Sequence, residues 1–125
     1  MKLLIVDDSA IVREVLIDSL SEVSGIEIAG EARNAPEAIE MIRRLRPDVI
    51  VLDFKMPGGS GLSVLKELQS EDFSPLVLMF TNYPHLQYRD ACLNAGAHYF
   101  FDKSTEFHNV IETLKQIARP PAKSN

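Results

Sequence analysis

Short apolar runs alternate along this chain with stretches in which apolar residues recur every three or four positions, the pattern of strands followed by amphipathic helices. Leu3-Leu4-Ile5-Val6 is the first run, and beyond Asp7-Asp8-Ser9 the positions Val12, Val15, Leu16 and Leu20 fall at helical spacing. Gly25 opens a second strand, Ile26 to Gly30. Asn34-Ala35-Pro36-Glu37 reads as a capped helix start with Glu37 in the reciprocal position, and Ala38, Ile39, Ile42 and Leu45 form that helix's apolar stripe. Pro47 ends it, and Val49 to Leu52 is the third strand.

The third helix is expected over about Ser60 to Ser70, with Leu62, Leu65 and Leu68 inward. Pro75 introduces the strand Leu76 to Phe80, with Thr81 at its C-terminal end. Tyr88, Ala91, Cys92 and Ala95 mark a fourth helix that Gly96 is suited to close, and Tyr99-Phe100-Phe101 is the fifth strand. Phe107, Val110, Ile111, Leu114 and Ile117 give the cleanest helical stripe, and Pro120-Pro121 stops it. Repeated β-α steps whose central strands are apolar throughout imply an α/β fold, a parallel sheet covered by helices on both sides in three layers.

The length of 125 residues suits one domain, expected over 1–119 with a disordered tail at 120–125. A hydrophobic content of 46% and a charged content of 25% are those of an ordinary globular protein. The lone Cys92 excludes an internal disulfide and fits a reducing compartment. The N-terminal apolar run is too short for a signal peptide and no stretch reaches the ~18 residues of a membrane span, so a cytoplasmic protein without membrane contact is expected. A net charge of −5 argues against nucleic-acid binding by this domain.

In a parallel sheet the acids Asp7, Asp8 and Asp53, the Thr81 hydroxyl and the Lys103 ammonium all emerge at one edge, the edge where open α/β sheets bind ligands. Each has a mundane explanation, since Asp7-Asp8 could cap the first helix, Thr81 the fourth, and Lys103 could be a solvated loop cation. Their convergence is harder to explain that way. Two carboxylates ~6 Å apart at an effective dielectric near ~20 repel by roughly 3 kcal/mol, and one lysine cannot neutralise three acids. Hard oxygen ligands around an open site suit Mg²⁺, with Mn²⁺ as a substitute, whereas His85, His98 and His108 have no zinc-like spacing. A carboxylate beside Mg²⁺, with a lysine and a hydroxyl nearby, can attack phosphorus and become an acyl phosphate.

These residues resemble the receiver domain of two-component response regulators. The resemblance is carried by Asp7-Asp8, by Asp53-Phe54-Lys55-Met56-Pro57 with Gly61, by Thr81, by Gly96-Ala97, and by Phe100 with Lys103, over residues 2 to about 119. It implies the doubly wound strand order 2-1-3-4-5 and a phosphorylation-dependent signalling switch rather than an enzyme acting on an external substrate. It implies Asp53 as phospho-acceptor and Mg²⁺ held by Asp8, Asp53 and the Lys55 backbone carbonyl, with Asp7 more loosely engaged. Thr81 and Lys103 would contact the phosphoryl group, and Phe100 would be a switch aromatic moving with Thr81. The implied donor is a phosphohistidine on a sensor histidine kinase or histidine phosphotransfer protein. The implied output face is the fourth helix, fifth strand and fifth helix, open to a downstream protein or a second copy of the chain.

The chain departs from the family pattern at Ser104, where a proline usually follows the lysine in a cis peptide; a cis bond before serine costs roughly 2.5–4 kcal/mol. Asn82 replaces a small residue and could crowd the phosphoryl group, bond to it, or cap the Tyr83-Pro84 turn. Lys55 and Tyr83 flank solvent access and are expected to set the acyl phosphate's lifetime. Phe100 lacks a hydroxyl, so its buried position is expected to be favoured. Two alternatives stand beside a stand-alone receiver: the receiver part of a DNA-binding transcriptional regulator, and a Mg²⁺-dependent phosphohydrolase. Lys55, where such hydrolases place a second acid, counts against the latter.

Overall fold

The computed structural model describes residues 1–119. The proline pair and the tail assigned to 120–125 lie outside the described residues. The main sheet comprises β1 (Lys2–Val6), β2 (Glu27–Ala32), β3 (Val49–Leu52), β4 (Leu76–Thr81) and β5 (Tyr99–Asp102), all parallel, in the order β2-β1-β3-β4-β5. The helices are α1 (Ala10–Leu20), α2 (Ala35–Leu45), α3 (Gly61–Leu68), α4 (Leu86–Asn94) and α5 (Phe107–Ala118). The expected three-layer doubly wound fold is what forms.

Strand residues divide between two cores with a period of two. Leu4, Val6, Ile50, Leu52, Val77 and Met79 pack against α2, α3 and α4, while Leu3, Ile5, Val49, Val51, Leu78 and Phe80 pack against α1 and α5. Both faces are covered, which is why these strands read as unbroken apolar runs. Cys92, on α4, lies in the first core, and burial pushes its thiol up to about 11.

Helix starts follow local chemistry. Ser9 Oγ accepts from the Val12 N–H at 3.3 Å, so Ser9, and neither Asp7 nor Asp8, caps α1. Asn34 caps α2 as expected, accepting from the Glu37 N–H at 2.8 Å, but the Glu37 carboxylate takes the Arg33 N–H rather than that of Asn34. Ser60 and Ser63 cap α3 reciprocally, so the helix begins one residue later than its pattern suggested. Gln69, Ser70 and Glu71 then donate to carbonyls three residues back, which tightens the chain and ends α3 at Leu68. Gly96, φ +111°, follows the end of α4 as the left-handed residue expected there.

Two local features differ from the periodicity. The second strand runs from Glu27 to Ala32 because pairing continues to Val6↔Ala32, and a register shift at Leu3/Leu4 lets β2 accommodate an extra residue. Between β3 and α3, Lys55–Met56 and Gly59–Ser60 pair antiparallel in a small hairpin, too short for alternation to reveal. The hairpin returns the chain so closely that the Gly61 N–H donates to the Phe54 carbonyl at 2.7 Å and a Cβ at Gly61 would collide with the Asp53 carbonyl oxygen. Gly61→Ala should therefore cost about 1–3 kcal/mol by overpacking, read from the midpoint of urea unfolding.

Candidate functional site

Strand pairing continues past the strand ends and fixes the backbone of each polar residue. The Asp7 N–H donates to the Ala32 carbonyl at 2.9 Å, the Asp53 N–H to Val6 at 3.0 Å and the Lys103 N–H to Thr81 at 2.9 Å. The C-terminal edge thereby gathers Asp7, Asp8, Asp53, Thr81 and Lys103. Asp7, Asp53 and Thr81 are buried, at 2%, 5% and 0% exposure, whereas Asp8 is exposed.

Carboxylate oxygens of Asp7, Asp8 and Asp53 lie within 4.8 Å of one another. Lys103 Nζ sits 2.5 Å from Asp7 Oδ2 and 3.1 Å from Asp53 Oδ2. Asp7 Oδ1 accepts from the Ser9 N–H at 2.9 Å, so both Asp7 oxygens are engaged. Asp53 Oδ1 is buried with no hydrogen-bond partner. Burial and the repulsion of Asp7 push the Asp53 carboxyl up from its ordinary value, with Lys103 opposing. Burial alone would lower the Lys103 ammonium, but its bonds to Asp7 and Asp53 outweigh that and raise it.

An orphaned buried carboxylate oxygen, hard oxygen donors and one cation against three acids fit a hard divalent ion such as Mg²⁺. Asp8 and Asp53 offer oxygens to it, while those of Asp7 are taken by Ser9 and Lys103. A cavity of about 480 Å³ opens over Asp53, lined among others by Asp8, Lys55, Asn82, Tyr83 and Lys103.

The remaining predicted residues surround this cluster. Thr81 Oγ accepts from the Tyr83 N–H at 3.1 Å, so Thr81 supports the turn after β4 instead of capping α4, whose N-terminal residue His85 makes no side-chain cap. Asn82 lines the cavity and does not cap the helix. Lys55 Nζ lies 4.7 Å from the centre of the Tyr83 ring, which joins the two flanking residues directly across the cavity. Phe100 is half-buried against the α2–α4 core.

No peptide bond among the described residues is cis, so Lys103–Ser104 is trans. In place of a proline, Ser104 closes the loop by donating its N–H, at 2.9 Å, and its hydroxyl, at 2.7 Å, to Asp102 Oδ1. Those bonds hold the Asp102 carboxyl below its usual range. The sequence reading passed over Ser9, which orients Asp7. Its position as a helix N-cap immediately after two acids was the available signal.

The fold and site define a doubly wound α/β protein with an acidic, lysine-braced pocket at its carboxyl edge. The chain belongs to the response regulator receiver domain family, whose profile matches residues 3–115. It is 31% identical over 118 residues to the chemotaxis protein CheY of Thermotoga maritima, covering 94% of this chain and 98% of that one. It is 39% identical over 108 residues to protein-glutamate methylesterase/protein-glutamine glutaminase 4 of Hahella chejuensis, covering 85% of this chain and 28% of that protein. The chain thus spans about a third or less of the methylesterase relatives it matches. Among solved structures, the response regulator domain of Thermotoga maritima CheB superposes with a TM-score of 0.83 at 30% identity, covering 95% of this chain and 93% of that one. A LuxR-family two-component response regulator from Aurantimonas gives 0.85 at 26%, covering 94% and 84%.

Because Asp53 binds its proton more tightly folded than unfolded, its charge costs stability at neutral pH, and the cost fades as pH falls and the folded state takes up the proton first. Asp53→Asn should therefore be more stable than wild type at pH ~7 without divalent metal, with a smaller advantage near pH ~4. Urea unfolding at both pH values checks this.

Proposed function

We propose that this chain is a phosphorylation-operated switch of a two-component system in which Asp53 is the phospho-acceptor. The observation that carries the reading is the buried, unpartnered Asp53 Oδ1 beside two further acids and a lysine at the mouth of an open cavity. Receiver domains bind Mg²⁺ at an acidic cluster. Here Asp8, Asp53 and the Lys55 backbone carbonyl would hold the ion, with Asp7 oriented by Ser9 and Lys103, and Mn²⁺ would substitute. When bound, the metal neutralises charge on the transferring phosphoryl oxygens.

An Asp53 carboxylate oxygen attacks the phosphorus of a phosphohistidine. The O–P bond forms as the P–N bond breaks, and the electron pair leaves on the imidazole nitrogen, which takes a proton from solvent. Lys103, already within reach of Asp53, follows the phosphoryl oxygens, and Thr81 turns its hydroxyl toward them, giving up the Tyr83 N–H. Phe100 packs further inward as the turn rearranges, altering the face of α4, β5 and α5. That face receives a downstream protein or a second copy, and the donor is a histidine kinase or phosphotransfer protein. Receiver domains are not themselves turnover enzymes, which disfavours the phosphohydrolase reading. The two sequence relatives compared above, a chemotaxis protein and a methylesterase, do not favour a DNA-binding regulator. No helix among the described residues is long and apolar enough to cross a membrane.

Incubation with acetyl phosphate and Mg²⁺ should add one phosphoryl group to wild type and none to Asp53→Asn, read by intact mass spectrometry; equal labelling of both would overturn the assignment. The Lys55–Tyr83 contact partly covers the approach of water to the acyl phosphate. Removing it with Tyr83→Ala should shorten the phosphoryl lifetime by roughly 3-fold to 10-fold, the equivalent of about 0.7–1.4 kcal/mol in barrier. Loss of label with time checks this, and an unchanged lifetime in both Tyr83→Ala and Lys55→Ala would exclude a gating role.

A further inference from the structure

Arg13 belongs to no part of the site described so far, yet it reaches that site from behind. Its side chain is only 15% exposed, and its guanidinium spans two elements, with Nη1 donating to the Asp7 carbonyl at 2.6 Å and Nε to Glu31 Oε1 at 3.0 Å. The Asp7 carbonyl belongs to the peptide joining Asp7 to Asp8, so its orientation decides how the two acids project relative to each other. Glu31 lies in β2, where it pairs with Ile5, and the Asp7 N–H is held by the neighbouring Ala32 carbonyl at 2.9 Å. Asp7 is thereby held through its N–H, its carbonyl and both carboxylate oxygens, while Asp8, the exposed acid, takes its direction from the peptide plane that Arg13 holds.

We infer that Arg13 is a positioning residue for the metal: by clamping the Asp7–Asp8 peptide to β2 it holds the acid pair in the arrangement that captures a divalent cation together with Asp53. The residue type suits the task, because a planar guanidinium presents several donors in a fixed fork and can serve a carbonyl and a carboxylate at once, which a lysine ammonium on a flexible stem does less well.

Two physical effects of removing Arg13 have opposite signs. If Arg13 acted only as a charge, deleting a cation behind the acid cluster would strengthen the pull on Mg²⁺ and tighten binding. If it acts by position, deletion frees the Asp7–Asp8 peptide and weakens binding, as losing a supporting bond behind a metal ligand does by roughly 10-fold to 100-fold. The sign of the change therefore separates the two.

This inference rests on the metal-dependent reading above. Calorimetric titration of the full chain with MgCl₂ should show binding by wild type, roughly 10-fold weaker binding by Arg13→Ala and an intermediate loss in Arg13→Lys, which keeps the charge and a single donor nitrogen but not the fork. Thermal unfolding without metal runs in parallel, since a purely architectural role lowers the melting temperature and leaves the Mg²⁺ dissociation constant of the folded protein unchanged. Binding by Arg13→Ala equal to or tighter than wild type overturns the inference while the metal-dependent reading stands. If Arg13→Ala does not fold, Arg13→Lys carries the test, and equal affinity to wild type overturns the inference. Absence of Mg²⁺ binding by wild type overturns the metal-dependent reading and this inference with it.

Discussion

The Lys103 ammonium, wedged between Asp7 and Asp53, is the interaction on which the site depends. Two carboxylates nine-tenths or more buried at adjacent strand ends repel each other and lose hydration, and a single shared cation makes the arrangement tolerable. It does so incompletely, since the Asp53 carboxyl stays raised and one of its oxygens has no partner. That residual imbalance suits the site to a second, hard cation. Asp7 supplies the contrast, because with both oxygens bonded it serves to hold Lys103 and to brace the loop.

Such a concentration of charge is sustainable because the frame beneath it is uncompromising. Ladder hydrogen bonds reach one residue beyond β1, β3 and β5, so Asp53 and its neighbours are fixed through their main chains before any side chain is considered. Around this edge the supports become graded. The helices α1, α2 and α3 begin with side-chain caps, whereas α4 and α5 begin without one. The helix starts without a side-chain cap are those that follow Thr81 and Lys103, the two residues proposed to contact a phosphoryl group. The helix starts without a side-chain cap therefore lie where a rearrangement would be useful.

How much of this was legible in the sequence follows from which forces act locally. β1, β3 and β4 announced themselves because burial on both faces leaves no room for polar residues, and the stripes of α2 and α5 did so because one face is wet. β2 was harder: as an edge strand it carries Glu27 and Glu31 and accommodates a bulge, so its ends depend on pairing with β1 and not on its own pattern. The hairpin after Asp53 and the reciprocal serine cap of α3 are decided by contacts too short-ranged for periodicity to register. The acids, Thr81 and Lys103 could be assigned to one rim because a parallel sheet sends every strand end the same way. The pairing of Lys55 with Tyr83 and the reach of Arg13 to Glu31 join segments 18 or more residues apart, and residue type alone carries no trace of them.

The alternation of strand side chains between two cores has a bearing on how any signal could leave Asp53. Sliding a central strand by a single residue would exchange its inhabitants between the α1–α5 compartment and the α2–α4 compartment, forcing both to repack at once. The sheet is consequently a poor moving part and a good reference plane. Whatever changes shape does so relative to it, through the connections that leave its carboxyl edge and the helices they carry.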